Sequence, residues 1–473
     1  MLIGREREQQ KLRDAYKSKS SEFVAVYGRR RVGKTFLVRE TLGTKFTFAH
    51  AGLANADKNS QLKAWADSLK EYGLSVSKNP KTWLDAFGLL KEVIRISKHR
   101  KKVLFIDEMP WMDTQHSGFV SALEHFWNGW ASGRKDVLLI VCGSATSWII
   151  NNLIKNHGGL HNRVTVKIHI KPFSLHECEE YAKSKGLAMS RRQILECYMV
   201  MGGVPFYWTF LERGKSLAQN IDEMFFNPEG SLWGEFDELF ASLFKNSDRY
   251  VTIVTTLVSK QIGMTREELL KEGKIANNGN VTKALNDLEN CGFIRKYLPL
   301  GRKERGAVYQ LVDFYTLFYF KFIRNNKNLD THFWTLIQET PQYYAWCGLA
   351  FERVCFNHVN QIKSALGIEG ILSNLYSWRS KSGIPNERGV QVDMLIDRSD
   401  QVITLCEMKY SKHRFMLDAD YDEVLLYKVE KFREETSTKK AVHIALVTTI
   451  GLAQNEFYDD VQNVVEMNQL FKV

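Results

Sequence analysis

The chain has 473 residues, of which 44% are hydrophobic, 25% are charged and only 8 are prolines. This composition excludes a disordered array and a membrane protein and is typical of globular domains, and the length predicts two to four of them. The formal net charge of +11 favours a polyanionic partner such as nucleic acid. A basic, solvated surface without such a partner is the alternative.

Neither membrane insertion nor secretion is expected. The longest apolar run, residues 137–142, is too short to cross a bilayer, which needs about 20 apolar residues. Residues 1–6 pass directly into charged side chains without the apolar stretch of a secretory signal, so a cytoplasmic protein is predicted. The seven cysteines lack zinc-site spacing and are expected to be reduced and buried.

In the first half of the chain, the sequence pattern predicts a region built on a sheet and a helical region. Residues 1–172 alternate short β-rich runs with helical stretches, which is typical of a parallel sheet covered by helices. The expected strands lie at 23–27, 46–49, 103–107, 137–142 and 164–170. Residues 173–245 lack strand patterns and repeat apolar residues at helical spacing, which predicts a helical lid.

Residues 246–328 predict a winged helix-turn-helix. A capping box at Thr265 and Glu268 opens one helix, and a second helix ends near Gly292. A hairpin with strands at 293–298 and 308–312 follows. Helix, helix and hairpin in this order are the elements of that motif.

Two interpretations of this region stay open. In the functional one, residues 277–286 lie in a DNA major groove, and Arg302, Lys303 and Arg305 at the hairpin tip contact phosphates. In the other, the region is a compact connector between its neighbours.

An octapeptide directly after the first strand fits the pattern G-x-x-x-x-G-K-[ST]. Glycines at both ends of such a loop let the backbone wrap around phosphate, with N–H groups pointing at the negative charge. Lys34 is expected to reach the β- and γ-phosphates of ATP, and Thr35 to bind Mg²⁺. The expected nucleotide-binding residues are Gly28, Arg29, Arg30, Arg31, Val32, Gly33, Lys34, Thr35 and Phe36.

The remaining candidates for this site lie at or beyond the ends of later strands. Asp107 is expected to hold the water shell of the metal ion, and Glu108 to polarise the attacking water. The alternative is an ordinary strand that ends in acids. Ser144 is either a sensor of the γ-phosphate or part of a simple turn. Arg163 is either an arginine finger or a surface arginine.

The segments 4–6, 27–35, 107–111 and 202–205 together resemble the prokaryotic, archaeal-type ATPase family. That family belongs to the AAA-like and STAND side of the P-loop proteins. The resemblance implies an ATPase that continues into a winged helix and a carboxy-terminal domain of uncharacterised function, and segment 311–318 resembles the part that joins them. Because AAA-like proteins often assemble, the resemblance also implies that a homo-oligomer is possible.

Residues 329–473 predict a second α/β domain. A helix containing Glu352 precedes strands at 375–378, 391–396 and 403–408, and a further helix and strand follow at 421–435 and 444–447. The order of Glu352, Asp393, Glu407 and Lys409 resembles the restriction-endonuclease-like PD-(D/E)XK fold. Val392 stands where the name of that motif has proline, which removes no metal ligand.

Alternation along a strand explains how these residues can form a site. Glu407 and Lys409 share a face of their strand, as Gln391 and Asp393 do on theirs. Asp393 and Glu407 are expected to bind Mg²⁺ or Mn²⁺, with Glu352 supporting the metal, while Lys409 orients a water for cleavage of a phosphodiester. A degenerate nuclease fold with solvated acids is the alternative.

The sequence therefore predicts a P-loop ATPase that binds DNA and cuts it through its carboxy-terminal domain. A regulatory switch, in which ATP controls DNA or protein binding and the nuclease-like fold is inert, is the alternative. A small-molecule kinase is disfavoured, because Glu108 suits hydrolysis and a kinase does not need the large appended domains.

Overall fold

The computed structural model describes residues 2–156, 158–244, 246–301, 306–324, 326, 330–380 and 389–473. Arg302, Lys303 and Arg305, the predicted phosphate contacts of the hairpin tip, lie outside the described residues. The fold groups the chain into two compact units, each made of segments that are distant in sequence. The first comprises Met1–Pro172, Asp237–Ser247 and Lys283–Cys291, and the second comprises Phe173–Phe236, Asp248–Thr282 and Gly292–Val473. The division into four domains at 1–172, 173–245, 246–328 and 329–473 stays a prediction.

The first unit is built on a parallel sheet, as predicted. The strand order is β2-β3-β4-β1-β5, so that β4 lies between β1 and β3. All five strands predicted for this region are present. Its elements are α1 (Glu6–Lys17), β1 (Glu22–Tyr27), α2 (Lys34–Leu42), β2 (Phe46–Ala51), α3 (Lys58–Glu71), α4 (Trp83–Ile96), β3 (Lys102–Asp107), α5 (Phe119–Phe126), β4 (Val137–Gly143), α6 (Thr146–Ile149) and β5 (Val166–His169).

Alternating side chains bury both faces of this sheet. On β3, Leu104 and Ile106 join one apolar cluster, whereas Val103 and Phe105 join the other. Strands buried on both faces read as continuous apolar runs, which explains why the sequence pattern predicted them well. Because β1, β3 and β4 are parallel, their carboxyl ends lie at the same edge of the sheet.

The next part of the chain is helical, with a small three-stranded sheet. Strands β6, β8 and β7 pair antiparallel in that order, and the predicted capping box of Thr265 and Glu268 opens α13. The elements are α7 (Leu175–Ser184), α8 (Arg191–Met201), α9 (Pro205–Trp208), α10 (Leu217–Phe225), α11 (Glu235–Leu243), α12 (Ser247–Val258), β6 (Met264–Thr265), α13 (Arg266–Glu272), α14 (Gly279–Asn290), β7 (Ile294–Tyr297) and β8 (Val308–Leu311). The boundary between the units passes through α14.

The carboxy-terminal sheet has five strands in the order β13-β12-β11-β10-β9. Strands β9, β10 and β11 pair antiparallel, whereas β11, β12 and β13 are parallel. The elements are α15 (Phe314–Phe318), α16 (Phe333–Ile337), α17 (Pro341–Asn357), α18 (Val359–Ala365), β9 (Ser373–Arg379), β10 (Gln391–Arg398), β11 (Val402–Lys409), α19 (Ala419–Thr436), β12 (Ala441–Thr448) and β13 (Asn463–Glu466). The seven cysteines are free and buried, as predicted. In the described part of the chain, we find no helix with the length and apolar character needed to cross a membrane.

Candidate functional site

The loop between β1 and α2 has the backbone geometry of a phosphate-binding loop. Gly28 and Gly33 adopt φ angles of 146° and 87°, which side chains disfavour. A Cβ on Gly28 would lie 2.1 Å from the carbonyl oxygen of Ile170, so no other residue fits there. Because α2 begins at Lys34, the loop leads directly into a helix amino terminus, an arrangement that suits an anion such as phosphate.

Lys34 and Thr35 point toward the edge of the sheet. The Lys34 ammonium is buried and donates to the carbonyl oxygens of Gly28 (3.0 Å) and Arg29 (2.7 Å). The Thr35 hydroxyl donates to Oδ2 of Asp107 at 2.7 Å. One hydroxyl and one carboxylate are hard oxygen donors that suit Mg²⁺, which in such sites usually takes its other ligands from phosphates and water.

The other loop residues differ in their surroundings. Arg29 and Val32 are buried, and Val32 packs into the apolar core. Arg31 has a left-handed φ of 70° and lies 3.8 Å from Glu238, measured between Nη2 and Oε2. Phe36 is 46% exposed, so it does not contribute to the core.

Ser144 contacts both Lys34 and Glu108. Its hydroxyl accepts from the Lys34 ammonium at 3.2 Å and donates to Oε1 of Glu108 at 2.6 Å. Its backbone N–H donates to Oε2 of Glu108 at 3.1 Å. The strand order explains this contact, because β4 ends between the loop after β1 and the acids after β3. The three residues therefore form one hydrogen-bonded chain across the sheet edge.

Glu108 has a strained backbone, whereas Arg163 lies apart from the chain formed by Lys34, Ser144 and Glu108. Glu108 adopts a left-handed φ of 44°, which is uncommon for residues other than glycine and is often found at functional sites. The side chain of Arg163 is exposed in a turn before β5. Within the described ranges, no hydrogen bond or ion pair joins Arg163 to Lys34, Asp107 or Glu108.

A second cluster of charged residues lies in the carboxy-terminal sheet. The β10–β11 register pairs Met394 with Cys406, and Asp393 and Glu407 are the next residues on these two strands. The pairing of β10 with β9 shifts register between Val392 and Leu395, so Asp393 lies in a bulge. Gln391 donates to Oδ1 of Asp393 at 2.5 Å. Lys409 lies 3.3 Å from Glu407, measured from Nζ to Oε1.

Two residues of α19 that sequence reasoning missed also contact Glu407. The Tyr421 hydroxyl donates to Oε1 at 2.6 Å, and the Lys428 ammonium donates to Oε2 at 2.8 Å. A spacing of seven residues places both on one face of the helix, which is the signal that could have found them. Burial would raise the pKa of Glu407, but Lys428 and Lys409 hold it below its usual value.

The charges around Glu352 link α17 to this cluster. Burial and the negative charge of Asp393 raise the pKa of Glu352 to about 7, against the opposing charge of Arg353. The Arg353 guanidinium is buried and donates to the carbonyl oxygen of Gln261 at 2.6 Å. Among residues that the structure describes, no three His, Cys, Asp or Glu side chains are grouped to hold a metal ion. The cluster therefore offers carboxylates but no preformed three-ligand metal centre.

Comparison with known proteins finds a family match in the amino-terminal region and one relative along most of the chain. Residues 2–209 match the model of a family described as an ATPase domain predominantly from Archaea. Over 415 residues the chain is 21% identical to an uncharacterised protein of Methanocaldococcus jannaschii, covering 87% of this chain and 88% of that protein.

Two solved structures are similar at low identity. A Walker-type ATPase of Pyrococcus abyssi is 17% identical, with a TM-score of 0.46, covering 67% of this chain and 95% of that one. The ORC2 protein of Aeropyrum pernix is 13% identical, with a TM-score of 0.40, covering 76% and 96%. The residues that match this family model, 2–209, contain the loop between β1 and α2 and the acids at the end of β3, so this region is similar to an archaeal-type ATPase domain.

Proposed function

We propose that this protein hydrolyses ATP at the loop Gly28 to Thr35 and that the nucleotide controls DNA binding by residues 246–328. The observation that carries the proposal is the hydrogen-bonded chain of Lys34, Ser144 and Glu108, which connects the phosphate-binding lysine with the candidate base. Because Ser144 contacts both Lys34 and Glu108, it can respond to the γ-phosphate and at the same time position the carboxylate of Glu108.

Each residue has a role in this proposal. Lys34 binds the β- and γ-phosphates, and the amino terminus of α2 supplies N–H donors. Mg²⁺, held on the side of Thr35 and Asp107, would neutralise charge on the phosphates. Glu108 orients a water for attack on the γ-phosphate and accepts its proton, while Ser144 fixes the direction of the carboxylate. The buried apolar strands keep all these groups on one rigid edge.

Support for DNA binding comes from charge and exposure. The chain has a net charge of +11. On α14, Val281, Ala284 and Leu285 are buried, whereas Lys283 and Asn286 are exposed. A helix with this division can pack on its apolar side and present polar groups to a major groove.

Fluorescence anisotropy with labelled duplex DNA, with and without ATP, tests the proposal on wild type and Lys34→Ala. Equal binding with and without ATP in the wild type contradicts nucleotide control.

Metal-dependent DNA cleavage is the second candidate function. It is favoured by the position of Asp393 on β10 and of Glu407 and Lys409 on the paired strand β11, because two carboxylates and a lysine suit hydrolysis of a phosphodiester. The alternative, an inert fold that serves an ATP-dependent switch, is favoured by Tyr421 and Lys428, which engage both oxygens of Glu407.

A cleavage assay separates these alternatives. Plasmid and linear DNA are incubated with Mg²⁺ or Mn²⁺, with and without ATP, using wild type, Asp393→Ala and Lys34→Ala. Metal-dependent cleavage that Asp393→Ala abolishes and Lys34→Ala alters supports an ATP-governed nuclease. Uncut DNA under all conditions, with ATP still hydrolysed, supports the switch.

A further inference from the structure

The carboxy-terminal part of α14 belongs to the unit that contains the phosphate-binding loop, although it is far away in sequence. Asn290, the last residue of α14, donates from Nδ2 to the hydroxyl of Ser147 at 2.9 Å. Ser147 is buried in α6 and follows Ser144 by three residues. Asn290 therefore contacts the short helix that begins directly after the residue joining Lys34 to Glu108.

Electrostatics agree with this placement. Burial and the negative charge of Asp287 raise the pKa of the Cys291 thiol to about 11, while Arg29 and Lys34 act in the opposite direction. The backbone of Thr146, the first residue of α6, also acts to lower this pKa. The end of α14 thus lies within electrostatic reach of the phosphate-binding loop and contacts α6 through Asn290.

The position of α6 matters because Ser144 must contact both Lys34 and Glu108. Its hydroxyl must stay within hydrogen-bonding distance of Lys34 and of Glu108, and its N–H must also face Glu108. Since Ser144 is separated from α6 by Ala145 alone, a shift of α6 moves both donors. Displacements of about 1 Å can cost large factors in rate when reacting groups are misplaced.

We propose that Asn290 is a positioning residue of the ATPase site. It holds Ser147, and through it α6, so that Ser144 keeps Glu108 aligned with Lys34. The inference rests on the proposed hydrolysis of ATP at this site. It assigns part of the site to a helix outside residues 2–209, the region that matches the ATPase family.

Steady-state ATP hydrolysis by the full chain tests this role. Asn290→Ala is expected to lower kcat about fivefold, the worth of one hydrogen bond, and to leave KM for ATP within about twofold. Ser147→Ala removes the other partner without altering α14 and is expected to lower kcat similarly. The double variant is expected to be no slower than either single variant, because both changes break the same contact. Asn79→Ala, the same change at an exposed asparagine between α3 and α4, is the matched control.

The possible results are distinct. A loss in kcat that is shared by Asn290→Ala and Ser147→Ala, non-additive and absent from Asn79→Ala supports the inference. Unchanged kcat in Asn290→Ala, or losses that multiply in the double variant, overturns it. If Asn290→Ala melts at a lower temperature than wild type, the kcat of Ser147→Ala decides alone. A lowered kcat then supports the inference, and an unchanged kcat overturns it. Wild type no faster than Lys34→Ala would instead overturn ATP hydrolysis itself.

Discussion

Ser144 donates two hydrogen bonds to one carboxylate, from its hydroxyl to Oε1 of Glu108 at 2.6 Å and from its backbone N–H to Oε2 at 3.1 Å. Hydrogen bonds to a charged acceptor are stronger than those between neutral groups, so this pair fixes the carboxylate firmly. The same hydroxyl accepts a hydrogen bond from the Lys34 ammonium. The orientation of Glu108 can therefore depend on what the ammonium binds.

We expect Ser144→Ala to lower kcat for ATP hydrolysis by about tenfold or more, because a charge-assisted hydrogen bond contributes about 1.5–3 kcal/mol. Ser144→Thr retains the hydroxyl and should keep most of the activity. Phosphate release at saturating ATP measures both variants. Equal rates for Ser144→Ala and wild type would show that the hydroxyl does not position Glu108.

Gly28 provides a test of the loop geometry. Gly28→Ala should weaken ATP binding strongly or unfold the first unit, because its Cβ would lie 2.1 Å from the carbonyl oxygen of Ile170 at a φ of 146°. Gly88→Ala is the matched control, since this glycine lies within α4 and its added Cβ meets no atom within 4 Å. Thermal melting and titration with a fluorescent ATP analogue compare the two. Normal ATP affinity in Gly28→Ala would contradict this account of the loop.

His358 should make the stability of the second unit depend on pH. Its Nε2 accepts from the N–H of Leu175, while Nδ1 faces the carbonyl oxygen of Val354. Burial lowers its pKa from 6.5 to about 4, so between these values the unfolded chain binds more protons than the folded one. The free energy of unfolding therefore decreases as pH falls, by about 2 kcal/mol from pH 6.5 to pH 5 for this group alone.

His358→Gln should remove that part of the pH dependence, whereas the same change at the exposed His413 should not. Chemical denaturation of wild type and both variants at pH 7 and pH 5 provides the comparison. If His358→Gln shows the full pH dependence of wild type, the buried imidazole is not its source.

Lys428 competes with any cation for Glu407, because its ammonium lies 2.8 Å from Oε2. Lys428→Met should therefore increase Mn²⁺ affinity severalfold if the cluster binds metal, and Asp393→Ala should abolish binding. Lys440→Met, which removes an ammonium that lies 2.6 Å from Asp397 instead, is the control. Isothermal titration calorimetry with Mn²⁺ measures the affinities. Binding that is unaffected by Asp393→Ala would place the metal elsewhere.

The parts of the fold that follow local patterns were predicted well. The strand before Asp107 is buried on both faces, and a continuous apolar run of that length indicates a strand without knowledge of its neighbours. The capping box of Thr265 and Glu268 is likewise local, because its two bonds join residues three apart. Strand β13 was missed, since its four residues include both Asn463 and Glu466.

Contacts between distant segments could not be read from the sequence. Asn290 and Ser147 are 143 residues apart, and nothing in the pattern of α14 indicates that its end meets α6. Periodicity identified the buried face of α14 but not the surface that it covers. The seven-residue spacing of Tyr421 and Lys428 indicates that they share a helix face, but it does not reveal that this face meets Glu407 on β11.

The assignment of Glu108 is tested most directly by comparing wild type, Glu108→Gln and Lys34→Ala. Phosphate release and ATP binding are measured separately for each. We predict that Glu108→Gln binds ATP like wild type but hydrolyses it about 100-fold more slowly, which is the usual contribution of a general base, and that Lys34→Ala loses both. Hydrolysis by Glu108→Gln at the wild-type rate would contradict the assignment of Glu108 and with it the central role of the chain formed by Lys34, Ser144 and Glu108.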